Sequence, residues 1–163
     1  MELGPLAGTL DGVRVVEWSS FITAPFCGKV LADLGADVIK IESPVYGDES
    51  RGHGPFPEQI PDRERSGLFL FANLNKRGVT LDPSSPSGRE LLESLLETAD
   101  IFLENQPVGL TERLGLDYGT LKSSFPGLIV TSITPYGRTG SYREYIGCDL
   151  TSNAIGGMSF GTG

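Results

Sequence analysis

The stretch VRVVEWSSFITAPFCGKVLADLGADVIKIE, residues 13–42, decides the fold. Its first part, Val13 to Glu17, is a short β-rich run, and beyond Ser19, Ser20 and Pro25 it places Phe26, Val30, Leu31 and Leu34 at helical spacing. Gly35 punctuates that helix, and Asp37 to Glu42 forms a second apolar-rich strand. The reading is strand, helix, strand. A helix between two strands implies a βαβ unit, so the strands pair in parallel.

The same alternation continues downstream. Ser43 to Ser66 is rich in proline and glycine, lacks periodicity, and is expected to be a long loop of the functional or mobile kind. A short helix is expected over Gly67 to Ala72 and a strand over Gly78 to Leu81. Pro86 to Ala99 carries Leu91, Leu92, Leu95 and Leu96 as the apolar stripe of a helix, with Ser85 as N-cap and Pro86 in the first turn. Strands are expected at Asp100 to Leu103 and Gly127 to Ile133, and helices at Tyr118 to Ser124 and Leu150 to Met158. The fold class is therefore α/β: an open, largely parallel, Rossmann-like sheet with helices on both faces. Such sheets bind ligands beyond the carboxyl ends of their strands, and functional residues are sought there.

Composition narrows the function. The 163 residues include 13 basic and 21 acidic side chains, a net charge of −8, which disfavours a nucleic-acid or anionic-membrane partner. Met1 to Leu10 carries Glu2 and no cluster of bases, and no apolar run has the length of a signal segment or a membrane span. Cys27 and Cys148 stand far apart without metal-ligand spacing, so neither a zinc site nor a disulfide framework is expected, and a cytoplasmic setting fits. No metal is expected.

The first strand is followed by Trp18-Ser19-Ser20-Phe21-Ile22-Thr23-Ala24-Pro25 and not by G-x-G-x-x-G, which argues against a standard NAD site. Ser19, Ser20 and Thr23 could instead help the helix start to hold an anion, or could simply cap the helix. His53, the single histidine, lies in the long loop and is read as a surface residue.

Four segments at the strand ends occur in one order: LDGVRVVEWSSFITAPFCGKVLADLGADVIKIE (10–42), NLNKRGVTLD (73–82), ADIFLENQPVGLTERLGL (99–116) and SITPYGRTGSY (132–142). Together with Gly47-Asp48 and Arg51-Gly52 in the long loop, they resemble the family III CoA-transferases of the CaiB/BaiF type. The resemblance implies that residues 1–163 are the N-terminal, CoA-binding α/β portion of a larger domain, with the remainder of the family fold absent. It also implies coenzyme A as substrate, moved between an acyl-CoA and a carboxylic acid acceptor, and an interlocked homodimer for the full-length form. By the same resemblance Leu81, Asp82, Pro83 and Ser84 meet the adenosine end of CoA, and Asn105, Gln106 and Pro107 meet the pantetheine. Arg113 reaches the phosphates, and Ile22 and Thr23 at the helix start complete the set. Ser43 and Ser84 stand where relatives often carry bases, and Pro107 comes one place early in the family's E-N-x-x-P-G pattern. On residue type alone Arg113 is as well read as a solvated charge, and Asn75-Lys76-Arg77 as a solvated turn; with the resemblance, that turn organises the cofactor-side loops.

The family reaction needs an aspartate nucleophile, expected after Gly163, with Asp149 as the internal alternative. Two rivals accompany this reading. α-Methylacyl-CoA racemases share the N-terminal motifs but place a His where Cys148 stands, and a fragment of this kind could bind CoA without catalysis.

Overall fold

The computed structural model describes residues 8–162; Met1 to Ala7 and Gly163, and with them part of the N-terminal and C-terminal expectations, lie outside the described residues. Five strands form one sheet: β1 (Arg14–Trp18), β2 (Asp37–Glu42), β3 (Arg77–Thr80), β4 (Ile101–Glu104) and β5 (Ile129–Ser132), in the order β3-β2-β1-β4-β5. Every pairing is parallel, where a largely parallel sheet was expected. The helices are α1 (Thr23–Asp33), α2 (Gly67–Asn73), α3 (Pro86–Leu96), α4 (Leu110–Arg113), α5 (Tyr118–Ser124), α6 (Asp149–Ile155) and α7 (Met158–Thr162).

Period two along each strand sends side chains to opposite faces. Val15, Val38 and Leu103 pack under α1 with Ala24 and Ala32, while Val16, Ile41 and Phe102 pack on the other face with Leu92 and Leu96 of α3 and Leu121 of α5. Ser85 caps α3 as expected, its hydroxyl accepting the Gly88 N–H at 3.1 Å.

Helix α1 differs from its sequence pattern. Phe26, Val30 and Leu34, whose spacing marks the helix, remain 46, 41 and 45% exposed, and the face turned to the sheet is Ala24, Pro25, Gly28 and Ala32. Small residues bring the helix axis close to the strands, which the large residues would hold away. The outward stripe continues onto α2, where the Phe71 ring stacks on Phe26 at 6.1 Å.

The long loop is neither structureless nor loosely attached. It contains 3-10 turns at Glu49–Gly52 and Pro57–Gln59, and it buries Asp48, Ser50 and Ser66. Arg51 anchors it, donating to both oxygens of Glu42 at 2.7 and 3.0 Å and lying 3.6 Å from the centre of the Phe69 ring. The C-terminal helix expected over Leu150 to Met158 is two short helices, α6 and α7, separated by Gly156 and by Gly157 at a φ of 81°. Among the described residues no helix is long and apolar enough to cross a membrane.

Candidate functional site

The strand order reverses direction at β1: β2 and β3 extend to one side, β4 and β5 to the other. Chains leaving β1 and β4 therefore diverge and open a crevice at their carboxyl ends. Two adjoining cavities occupy it. One, of about 630 Å³, lies between Asn105, Gln106, Pro107 and Val108 after β4, Thr134 and Pro135 after β5, and the segment Arg143 to Gly147. The other, of about 300 Å³, is lined by Thr23, Asn105, Ile133, Thr134, Pro135 and Ser152. A depression of about 410 Å³ at the amino ends of β4 and β5, lined by Glu97, Asp100 and Ser124 among others, lies at the wrong end of the strands for such a sheet.

Asn105 joins the two sides of the crevice. Its Oδ1 accepts the Ser20 N–H at 3.0 Å and its Nδ2 donates to the Ser20 carbonyl at 2.7 Å, so the side chain continues the β1–β4 pairing past the last strand residues. Gln106 donates to the Trp18 carbonyl at 3.0 Å. Both amides are thus engaged with the β1 end, leaving Pro107 and Val108 as the apolar wall of the larger cavity. Glu104, buried at the end of β4, receives Arg138 through both oxygens at 2.7 and 2.6 Å, and Arg138 also reaches Thr111 at 2.9 Å and the Gln106 carbonyl at 3.0 Å. That clamp ties the segment after β5 to the loop after β4. Thr134 borders both cavities, and its buried hydroxyl has no hydrogen-bond partner among the described residues.

Beneath α1 lies a buried charge cluster. Glu17 on β1 sits beside Lys40 on β2 in register. Glu17 accepts from Ser19 Oγ at 2.7 Å and from Lys40 at 3.2 Å, and its other oxygen lies 2.8 Å from Lys76 Nζ. Lys40 is 2.7 Å from Asp48 Oδ2, and Lys76 also donates to the Pro25 carbonyl at 2.7 Å. Two cations facing two anions make the burial tolerable. Burial, helped by the like charge of Lys40, pushes the Lys76 ammonium below its ordinary value, with Glu17 and Asp48 opposing, whereas for Asp48 burial is outweighed by Lys40 and Ser50 and the carboxyl lies below the usual range.

The expected site residues share the carboxyl edge of the sheet but not one cavity. Thr23, Asn105, Gln106 and Pro107 line the crevice. Ile22 stands at the start of α1, which has no side-chain cap. Leu81, Asp82, Pro83 and Ser84 follow β3 at the far edge, about 14 Å from β4 at the usual strand spacing. There Leu81 and Pro83 are buried, and Asp82 accepts the Ser84 N–H and hydroxyl at 2.9 and 2.6 Å, which holds its carboxyl below the ordinary value. Arg113 ends α4, exposed and without an ion-pair partner among the described residues. Of the hydroxyls expected to help an anion, Ser19 donates its proton to Glu17, whereas Ser20 and Thr23 only accept, from the Glu49 N–H at 3.0 Å and from Asn105 Nδ2 at 3.4 Å, so both keep a proton to donate.

Other expectations need correction. Of Asn75-Lys76-Arg77, read as organising the cofactor-side loops, only Lys76 reaches the crevice-side start of α1, through Glu17 and the Pro25 carbonyl; Asn75 pairs with Asp33 at the far end of α1, and Arg77 with Asp37 at the amino ends of the strands. Asp149, the alternative nucleophile, is the first residue of α6; Cys148 before it holds the cap position, and the Cys148 N–H donates to Thr151 Oγ1 at 3.0 Å. The Cys148 thiol is lowered, chiefly by the backbone N–H of Thr151. The sequence reading missed Glu17 and Lys40 and noted Asp48 only as part of the Gly47-Asp48 motif, although a lysine in the middle of DVIKIE and a glutamate in VRVVEW were signals of a buried pair.

Comparison with known proteins agrees with this architecture. The model of CoA-transferase family III matches residues 10–163. An (R)-2-hydroxy-4-methylpentanoate CoA-transferase of Clostridioides difficile is 43% identical over 151 residues, covering 92% of this chain and 38% of that protein. A succinate–glutarate CoA-transferase of Agrobacterium fabrum is 38% identical, covering 94% of this chain and 39% of that protein. The crystal structure of a CaiB/BaiF family protein from Brucella suis superposes with a TM-score of 0.82 at 41% identity, over 93% of this chain and 40% of that one. The chain thus spans about two fifths of the length of the relatives it matches. With a parallel five-stranded sheet, a crevice at its switch point and a family match over almost every residue, the chain belongs to CoA-transferase family III.

Proposed function

We propose that the protein to which this chain belongs transfers coenzyme A between an acyl-CoA thioester and a free carboxylic acid, and that residues 1–163 form its N-terminal CoA-binding portion. The observation that carries the reading is the continuous carboxyl edge of the sheet. It runs from Leu81–Ser84 past the uncapped start of α1 to the Asn105–Val108 wall, a line suited to an extended ligand with a nucleotide at one end and a thioester at the other. The partly positive start of an eleven-residue helix favours an anionic group, and Thr23 offers a hydroxyl beside it. Arg113 is the exposed cation for a phosphate. Asn105 and Gln106 shape the pantetheine side through their backbone contacts, and Pro107 supplies an apolar surface to it.

In the proposed chemistry an aspartate attacks the thioester carbonyl, the C–S bond breaks, and CoA leaves as a thiolate while an acyl-aspartyl anhydride forms. The thiolate then attacks the aspartyl carbonyl, giving an enzyme thioester and releasing the first acid. The acceptor carboxylate repeats the sequence in reverse. That aspartate lies outside residues 1–163; Asp149 is exposed and does not line either cavity. The racemase alternative requires an acid/base partner where the chain has Cys148, and the named relatives above transfer CoA. A homodimer and a cytoplasmic setting, suited to the free thiols Cys27 and Cys148, complete the proposal.

Incubating the intact protein with acyl-CoA and hydroxylamine is expected to give an aspartyl hydroxamate outside residues 1–163. Exchange of the α-proton with solvent as the sole activity would overturn the reading. Residues 1–163 alone are expected to bind CoA without turnover, and Arg113→Ala to weaken that binding about tenfold with unchanged melting temperature. Turnover by residues 1–163 that is abolished in Asp149→Ala and kept in Asp149→Glu would assign the nucleophile to Asp149.

A further inference from the structure

The Gly47-Asp48 pair belongs to the motif that the long loop contributes, yet neither residue borders the crevice. We infer that Asp48 is a positioning residue, through which the long loop sets the β1–α1 turn in its ligand-binding conformation; the inference rests on the CoA reading of the crevice.

The turn is in an unfavourable conformation. Phe21 has a φ of 71°, a left-handed backbone that bulky residues seldom adopt and that persists only where the surroundings over-determine it. Its surroundings do so from two sides. On one, Asn105 takes both the N–H and the carbonyl of Ser20. On the other, Asp48 Oδ1 accepts the Phe21 N–H at 3.1 Å, and the next residue, Glu49, donates its N–H to Ser20 Oγ at 3.0 Å. The Phe21 ring meets His53 of the same loop edge-on at 5.1 Å.

Asp48 is itself fixed at every polar atom that could let it drift. Oδ1 also receives the Ser50 N–H at 2.8 Å and the Ser50 hydroxyl at 2.6 Å, Oδ2 lies 2.7 Å from Lys40, and the Asp48 N–H donates to Glu42 at 2.9 Å. The carboxylate is fully buried, so no water competes for it. Gly47, at a φ of 60°, allows the chain to deliver Asp48 there, and a Cβ at Gly47 would come within 3.2 Å of Glu42 and 3.3 Å of Arg51. Lys40 sits on the central part of the sheet and Phe21 leads directly into Ile22 and Thr23. Asp48 therefore transmits the position of a rigid strand to residues at the crevice. A bond to a buried charge is stronger than one between neutral groups, which suits it to hold a strained backbone.

The test reads the turn and the ligand separately in the intact protein. Asp48→Ala is expected to speed hydrogen exchange at the Phe21 amide about tenfold or more while the Val16 amide is unchanged, and to raise the Kd for CoA by about tenfold or more. Asp48→Asn keeps an acceptor for Phe21 and is expected to stay nearer the wild type in both. Glu64→Ala, at the outer end of the Arg51 contacts, is expected to change neither. If Asp48→Ala does not fold, Ser20→Ala removes the acceptor of Glu49, the loop's second hold on the turn, and is expected to speed exchange at the Phe21 amide severalfold. A Phe21 amide equally protected in Asp48→Ala, or CoA affinities equal in Asp48→Ala and Glu64→Ala, overturns the assignment. Should the wild type fail to bind CoA, the CoA reading falls, and the Phe21 exchange rate alone decides whether Asp48 sets the turn.

Discussion

Replacing Gly28 by alanine tests how tightly α1 is seated. A Cβ there would lie 1.8 Å from Glu17 Oε2, 2.9 Å from Glu17 Cδ and 3.3 Å from Lys76 Nζ. The end of a glutamate usually swings aside at little cost, but this one is fully buried and held by Ser19, Lys40 and Lys76. Either α1 lifts from the sheet, opening gaps around Ala24 and Ala32, or Glu17 turns away and leaves Lys76 buried without its partner. Breaking a buried pair in this way costs about 3–5 kcal/mol. Alanine in place of glycine inside a helix returns about 1 kcal/mol. The expected net loss is about 2–4 kcal/mol, read from urea unfolding of Gly28→Ala against the wild type. A second arm uses Glu17→Ala, which removes the group that the new methyl would meet. In that background the Gly28 substitution should cost at least about 1 kcal/mol less, a coupling typical of residues in contact. An alanine variant as stable as the wild type, or one whose cost is unchanged when Glu17 is absent, would refute the close seating of α1 on the charge cluster.

Arg138→Ala strands the buried carboxylate of Glu104 and should destabilise the protein by about 3–5 kcal/mol in denaturant melts, whereas Arg143→Ala, at an exposed pair, should cost less than about 1 kcal/mol. The pH dependence follows from Asp48, whose pKa is lowered in the folded protein. A depressed carboxyl contributes stability that is fully present above its unfolded value near about 3.9 and is lost as pH falls through the folded value. Stability measured from pH 6 downward should therefore begin to fall near pH ~4, and less steeply for Asp48→Asn than for the wild type.

Much of the fold was legible because the information is local. Tyr118 to Ser124 is a helix at the residues expected, with Asp117 capping Thr120 at 3.1 Å, and Asp37 to Glu42 is a strand at the residues expected. Strand ends elsewhere moved by one or two residues, since termination depends on neighbours that the strand alone does not reveal. Periodicity showed that Phe26, Val30 and Leu34 share a face of α1 but could not say that the opposite, small-residue face turns inward. That choice follows from a close approach over Glu17, a residue eleven positions before Gly28 in the sequence. The site was legible as a family pattern, in which Asn105 and Gln106 were marked, but their work was not: the Asn105 amide spends itself on Ser20, 85 residues away. Glu17, Lys40, Asp48 and Lys76 come from four separate segments, and only the assembled sheet shows that their charges cancel.

The strand order also fixes a timetable for folding. β1 is made first yet stands at the centre of the sheet; its partner β2 begins about twenty residues later, while β4 begins at Ile101. During synthesis the half-sheet β1-β2-β3, with α1 over it and the long loop locked through Asp48 and Arg51, can assemble while one side of β1 still bears unpaired backbone groups. Those groups wait for roughly another twenty residues beyond β3, and non-local parallel pairing of this kind is slow to form and exposed to misassociation meanwhile. Arrival of β4 closes the open edge and brings Asn105 to Ser20 in the same event. The crevice, whose walls also include Thr134, Pro135 and Arg143 to Gly147 beyond β5, is therefore among the last features of the sheet to exist, and a nascent chain lacks it until those segments have left the ribosome.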